Sequence, residues 1–302
     1  MTPTISLSGL TRRYRDQLAL DGVSLDIEGT AITGLLGRNG AGKTTLMRII
    51  AAQEFPTAGR VQVLGARPLE NDAILRRVAL VREDQIYPDI KVGQALRLAS
   101  WFYPDWSGEL AQTLVEESQL PVGRRIGALS RGMRTALGNA IGLAARADVT
   151  LFDEPYAGLD ASARQSFNDR LLADYTEHPR TVVLSTHLID EVADLLERVV
   201  LIDHGRIVLD AAADEIRGSA TRVSGPTAAV ERFVAGRPTW DRRTIVSQTS
   251  VVVAARLDDG DRAGARAQHL SLEPVSLQQL IVHAAGGAAA PTADESREGA
   301  LA

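Results

Sequence analysis

The residues Gly37-Arg38-Asn39-Gly40-Ala41-Gly42-Lys43-Thr44 have the types and spacing to grip a polyphosphate. The glycines let the backbone wrap closely around phosphate oxygens with N–H groups turned inward. A helix beginning at the end of this loop adds unpaired N–H groups and the positive end of its dipole. Lys43 can reach the β- and γ-phosphates, and the Thr44 hydroxyl can sit on Mg2+. Further along, Leu151-Phe152-Asp153-Glu154-Pro155 ends an apolar run in two adjacent acids. Asp153 can hold Mg2+. Glu154 can accept a proton from an attacking water, or orient it.

These groups need elements to hold them. Ala31 to Leu36 is nearly all apolar, the pattern of a buried parallel strand. It leads into the glycine-rich loop, and Thr45 to Ala52 reads as the helix that follows. Val23 to Ile27 alternates apolar and polar residues, as a half-buried strand does. Arg60 to Gly65 and Val78 to Val81 are further short strands. The second ends in the polar loop Arg82-Glu83-Asp84-Gln85, well placed to reach a metal or γ-phosphate at the carboxyl edge of a sheet. Val149 to Phe152 and Thr181 to Thr186 are buried strands, and His187 sits at the exit of the latter. A lone histidine is usually structural. At the end of a strand parallel to the one carrying Asp153 and Glu154, it instead lands on the nucleotide edge. Leu188, Val192, Leu195 and Val199 read as one apolar helical face, followed by a hairpin turning at His204-Gly205.

From Val92 to Leu143 the pattern is helical. Trp101, Phe102, Tyr103 and Trp106 crowd together there, as either a small core or a docking patch. Ser130 reads as the N-cap of a helix running to Ala145, and Asp160 as another N-cap. Tyr14 lies in the basic run Arg12-Arg13-Tyr14-Arg15 and can either stack on a purine or pack as an ordinary tyrosine.

The bulk numbers bound the rest. The chain has 302 residues, 45% of them hydrophobic, enough for one large α/β domain and a smaller one. A net charge of −5 gives no electrostatic footprint for nucleic acid. With no cysteine, disulfides and thiolate metal sites are excluded. Met1 to Gly9 lacks a secretory pattern, and no stretch approaches the apolar length of a membrane span. The expectation is a cytoplasmic protein that reaches a membrane only through a partner. The character changes near Gly218. Short strands and helices there form a small unit over 218–283, and the Ala- and Gly-rich segment 284–302 reads as disordered.

Over about residues 4–215 the chain resembles the nucleotide-binding subunit of ATP-binding cassette (ABC) transporters. Gly37 to Thr45 matches the Walker A loop, and Leu129-Ser130-Arg131-Gly132-Met133 occupies the place of the LSGGQ signature. Leu151 to Pro155 matches Walker B with its catalytic glutamate, Ala157-Gly158-Leu159-Asp160 the D-loop, and Ser185-Thr186-His187 the switch histidine. Tyr14 falls where the adenine-stacking aromatic lies. The resemblance implies an α/β fold, a P-loop NTPase ABC cassette. Its parts are a RecA-like core, an antiparallel β subdomain and a helical subdomain near residues 86–140. A cassette over 1–217 would carry a small α+β C-terminal appendage. The resemblance further implies two cassettes, expected as a homodimer, sandwiching two ATP molecules with Mg2+. Each nucleotide would touch Walker A of one copy and Ser130 and Gly132 of the other. Glu154 would polarise the water and His187 hold the γ-phosphate. A separate transmembrane permease would dock on the helical region, at the inner face of the cell membrane.

The chain departs from the family pattern in three ways. Arg131 and Met133 stand where Gly and Gln are usual. The γ-phosphate-sensing glutamine aligns with Glu83, and Gln85 is the nearest glutamine and the expected metal-side residue. The C-terminal unit lies outside the cassette; similar appendages occur on drug- and antibiotic-export cassettes, so export is expected. The alternative is a soluble ABC-type ATPase acting on nucleic acid or ribosomes. The single cassette, the lack of long coiled coils and the acidic balance argue against it.

Overall fold

The computed structural model describes residues 3–287. The chain divides into two compact units, with the boundary between Ile216 and Arg217.

In the first unit, β1 (Ile5–Tyr14), β2 (Gln17–Ile27) and β3 (Ala31–Leu36) precede helix α1 (Lys43–Ile50). Then come β4 (Ala58–Val63), α2 (Asp72–Leu75) and β5 (Val78–Arg82). A helical stretch follows: α3 (Val92–Phe102), α4 (Gly108–Glu117), a single 3-10 turn (Ile126–Ala128) and α5 (Arg131–Ala144). The chain re-enters the sheet as β6 (Val149–Asp153), leaves by α6 (Ala161–Glu177) and returns as β7 (Thr181–Thr186). It closes with α7 (Ile189–Val192), β8 (Arg198–Asp203), β9 (Arg206–Ala212) and α8 (Ala213–Ile216).

Two sheets result. β2-β1-β4 is antiparallel, and its apolar positions alternate inward. The second has the order β5-β6-β7-β3-β8-β9, parallel except for the antiparallel edge strand β9. Strands β6 and β7 are buried at every residue, as strands covered on both faces are. The principal core brings together both sheets and the inward face of α1, with Leu46, Met47, Ile49 and Ile50 against Leu35, Leu151, Val183 and Val200. This order matters for chemistry. β7 lies between β3 and β6, so three strand exits adjoin one another: those before the glycine-rich loop, before His187 and before Glu154.

One sequence expectation changes. The helix after His187 is a single turn, α7, and Val199 belongs to strand β8. Asp190 and Glu191 sit in its first turn, and Leu196 packs its side chain against Gly34 of β3.

The aromatic cluster divides. Tyr103 packs with Ala79, Ala145 and Ala147, and burial pushes its phenol up to about 12. Trp101 projects outward and is 69% exposed.

The second unit contains β10 (Thr221–Pro226), α9 (Thr227–Val234), β11 (Thr239–Ile245), β12 (Gln248–Val253), α10 (Asp259–Ala267), β13 (Ser271–Pro274) and α11 (Leu277–Gly287). Its sheet, β11-β12-β10-β13, is wholly antiparallel. Val223, Val251 and Val253 form a core with Val230 and Phe233 of α9. The segment expected to be disordered lies largely outside the described residues. Among the described residues no helix is long and apolar enough to cross a membrane.

Candidate functional site

The loop between β3 and α1 closes tightly because its glycines adopt backbone angles that side chains resist. Gly42 has φ 112°, and a Cβ there would stand 2.5 Å from the Ala19 carbonyl oxygen. Gly37 (φ 153°) and Gly40 (φ 82°) share the positive φ. Arg38, Asn39 and Gly40 form the exposed crest. Ala41 is buried, and its carbonyl accepts from Gly205 N at 3.0 Å, tying the loop to the β8–β9 turn. Thr45 continues α1, half-buried.

Lys43 opens α1 and curls back under the loop. Its Nζ donates to the carbonyls of Gly37 at 2.7 Å and Arg38 at 3.2 Å. The side chain is buried, and desolvation pushes the ammonium below its ordinary value, opposed by the carboxylates of Glu154 and Asp153. A cation held under backbone N–H groups suits a polyanion.

Thr44 Oγ1 donates to Asp153 Oδ2 at 2.6 Å. The other oxygen, Asp153 Oδ1, is buried without a hydrogen-bond partner, as is Ser185 Oγ on the neighbouring strand. A buried carboxylate oxygen left unsatisfied is costly. Beside a hydroxyl at the mouth of a phosphate loop, it fits a hard, oxygen-seeking divalent cation.

Glu154 follows at the exit of β6 with φ 54°, a left-handed conformation that costs free energy in a non-glycine residue. Its N–H donates to Ser185 O at 2.9 Å. The His187 Nδ1 lies 2.9 Å from Glu154 Oε2. His187 is exposed while Glu154 is half-buried, so the imidazole forms the outer wall of the pair.

Ser130 caps α5, its Oγ accepting from Met133 N at 3.2 Å. Asp160 caps α6, accepting from Ala163 N at 2.8 Å. Gly132 and Asp160 lie with Gly158 where the starts of α5 and α6 meet, and Ser130 caps α5 two residues before Gly132. The structure does not bond them to the glycine-rich loop of their own chain.

Tyr14 is anchored at the tip of the β1–β2 hairpin. Its hydroxyl donates to Glu54, and the Arg12 guanidinium covers one ring face, 4.5 Å from the centroid. Arg12 also pairs with Glu54 at 2.8 Å.

The loop after β5 distinguishes Glu83 from Gln85. Arg82 stands beside Asp153 in the parallel ladder, and Glu83 N donates to Asp153 O at 3.2 Å. Glu83 therefore starts beside Asp153, and its own carboxylate pairs with Arg131. Asp84 pairs with Arg48 of α1 at 2.7 Å. Gln85 lies in the turn beyond, with its N–H on Arg82 O at 3.3 Å, and no hydrogen bond joins its side chain to Thr44 or Asp153. Two unusual residues, Glu83 and Arg131, thus neutralise each other across 48 positions of sequence. In the sequence each stands alone as a departure from the family pattern. Their opposite charges were the signal that could have joined them.

Comparisons with known proteins bear on the family and the fold. The ABC transporter family model matches residues 20–157. The phosphonates import ATP-binding protein PhnC 1 of Natronomonas pharaonis is 34% identical over 68% of this chain and 92% of its own length. The Nod factor export ATP-binding protein I of Burkholderia thailandensis is 30% identical over 93% of this chain and 97% of its own. Among solved structures, a dimeric ATP-binding cassette in a post-hydrolysis state, bound to ADP and Pi, superposes with a TM-score of 0.60. It shares 23% identity and covers 69% of this chain and 98% of its own, which is a likeness of fold. With the phosphate loop, the paired acids and the capped helices in one unit, the chain belongs to the ABC transporter family as an ATP-binding, ATP-hydrolysing cassette subunit.

Proposed function

We propose that two copies of this chain close on two ATP molecules and drive a separate membrane permease, in the direction of export. The observation that carries this reading is the convergence of Lys43, Thr44, Asp153, Glu154 and His187 at adjoining strand exits. The loop from Gly37 to Thr45 and Lys43 hold the phosphates. Thr44 and Asp153 are the residues that would hold Mg2+, with Glu83 rather than Gln85 nearest on the β5 side. The ion supplies charge neutralisation for the phosphoryl oxygens. Glu154 takes or orients the proton of the attacking water, and His187 holds both Glu154 and the γ-phosphate in place.

Ser130 and Gly132 are left unbonded to their own chain's phosphate loop. A second copy arranged head to tail presents them to the nucleotide held by the first. The dimeric cassette structure of like fold supports that pairing. Tyr14, with one face taken by Arg12, keeps the other for the adenine ring.

The absence of a spanning helix among the described residues fits a subunit that works at the inner membrane face through a permease. The helical region 86–140, with Trp101 exposed, is its docking face. Export is favoured by the extent of the matches. One export-named relative aligns over 93% of the chain and so takes in the C-terminal unit, whereas the import-named one covers 68%.

The deciding experiment is Glu154→Gln in the full chain. Turnover should fall about 100-fold or more, and ATP should trap a dimer visible by size-exclusion chromatography. Unchanged turnover would sink the assignment.

A further inference from the structure

The turn after Glu154 is held by a helix that carries none of the phosphate-loop chemistry. On α5, Gly132, Thr135 and Asn139 recur at the spacing of one helical face. That face lies along residues 155–158. Asn139 Nδ2 donates to Pro155 O at 2.8 Å, and Thr135 Oγ1 donates to Ala157 O at 2.7 Å. At Gly132 the approach is so close that a Cβ would collide with the Gly158 carbonyl oxygen. Thr135 and Asn139 are both buried, in a helix whose other inward residues are apolar or small. The same turn is gripped from its opposite side. Tyr156 donates to Asn168 Oδ1 at 2.6 Å, and Asn168 Nδ2 donates to Glu191 O at 2.8 Å, just beyond His187.

Glu154 needs such a frame. Its φ of 54° is unfavourable for an acidic side chain, and its carbonyl accepts from Ala157 N at 3.2 Å. The two carbonyls that α5 captures therefore belong to the turn that holds the Glu154 backbone in place.

We propose that Thr135 and Asn139 are positioning residues for Glu154, fixing through the Pro155 and Ala157 carbonyls the turn that aims its carboxylate. Both side chains are buried beneath the turn. Because α5 starts at the Ser130 cap, any movement of that helix end is carried by these two bonds to Glu154. The inference rests on the assignment of Glu154 proposed above.

The test uses the full chain and steady-state ATPase kinetics, with fluorescent-ATP binding and thermal unfolding alongside. Thr135→Val and Asn139→Asp keep the side-chain shape and remove the donor. Thr135→Ser keeps the donor. A misaimed carboxylate costs about 10- to 100-fold in kcat. The expected result is that loss for both donor-less variants, with KM and nucleotide affinity within about twofold of wild type and Thr135→Ser close to wild type. Three results would overturn the proposal: kcat unchanged in Thr135→Val, affinity falling together with kcat, or Thr135→Ser failing as Thr135→Val does. Should Asn139→Asp not fold, the two Thr135 variants decide. If wild type shows no turnover, or Glu154→Gln retains it, the assignment of Glu154 itself fails and this inference falls with it.

Discussion

His187 Nδ1 lies 2.9 Å from Glu154 Oε2, so the two side chains meet at adjoining strand exits. Removing either breaks the same arrangement. His187→Ala should lower kcat by about 100-fold while ATP still binds. In the double variant with Glu154→Gln, the losses should not add, because the residues share one task. Single-turnover hydrolysis of bound ATP checks this, and fully additive losses would show two independent roles.

Lys43 gives a prediction with a sign. Burial holds its ammonium below the ordinary lysine value of about 10.4. Below the lowered value, both folded and unfolded chains carry the proton, and burying the charge is a steady cost. Between the lowered and ordinary values the unfolded chain binds more protons, so stability contributed here rises with pH. Lys43→Met removes that cost. Without nucleotide its melting temperature should equal or exceed that of wild type at neutral pH, with the difference narrowing as pH rises toward the ordinary lysine range. Fluorescent-ATP affinity should fall about 100-fold, as about 2.8 kcal/mol of phosphate contact is lost. A lower melting temperature at neutral pH would show that its bonds to Gly37 and Arg38 outweigh the desolvation.

Asp174 tests the scaffold away from the site. It is buried between Arg146 and Arg180, each 2.8 Å away, and Arg180 is itself buried. Asp174→Ala leaves that charge unpaired. The expected loss is about 3–5 kcal/mol in urea unfolding. A loss below about 1 kcal/mol would show that solvent reaches the arginines.

Trp101 tests the docking face. At 69% exposure it contributes little to the fold. Trp101→Ala should leave the unfolding free energy within about 0.5 kcal/mol and basal ATPase intact. Transport, and any stimulation of ATPase by the permease, should be lost in reconstituted vesicles. Stimulation equal to wild type would remove Trp101 from the interface.

Local physics made much of the site legible. The glycine-rich loop, the Ser130 and Asp160 caps and the apolar strands ending in Asp153 and His187 each depend on neighbours a few residues away. Backbone angles, capping bonds and hydropathy period are written at that range. The α7 region departs from the helical reading because the helix stops after one turn and Val199 is a buried residue of strand β8. Spacing records which residues are buried, and burial alone does not choose the backbone.

What the sequence determined by itself was the inventory: a phosphate loop, two acids, a histidine and two capped helices, in an order that names the family. Tertiary structure decided which of these meet. Only the strand order β6-β7-β3 sets His187 against Glu154 and Asp153 against Thr44. The pairing of Glu83 with Arg131, and the hold of Thr135 and Asn139 on the turn after Glu154, join residues between 16 and 48 positions apart. A hydrogen bond across that distance leaves no period in the chain. It exists because the sheet brings β5 and β6 side by side and lays α5 along the turn that follows.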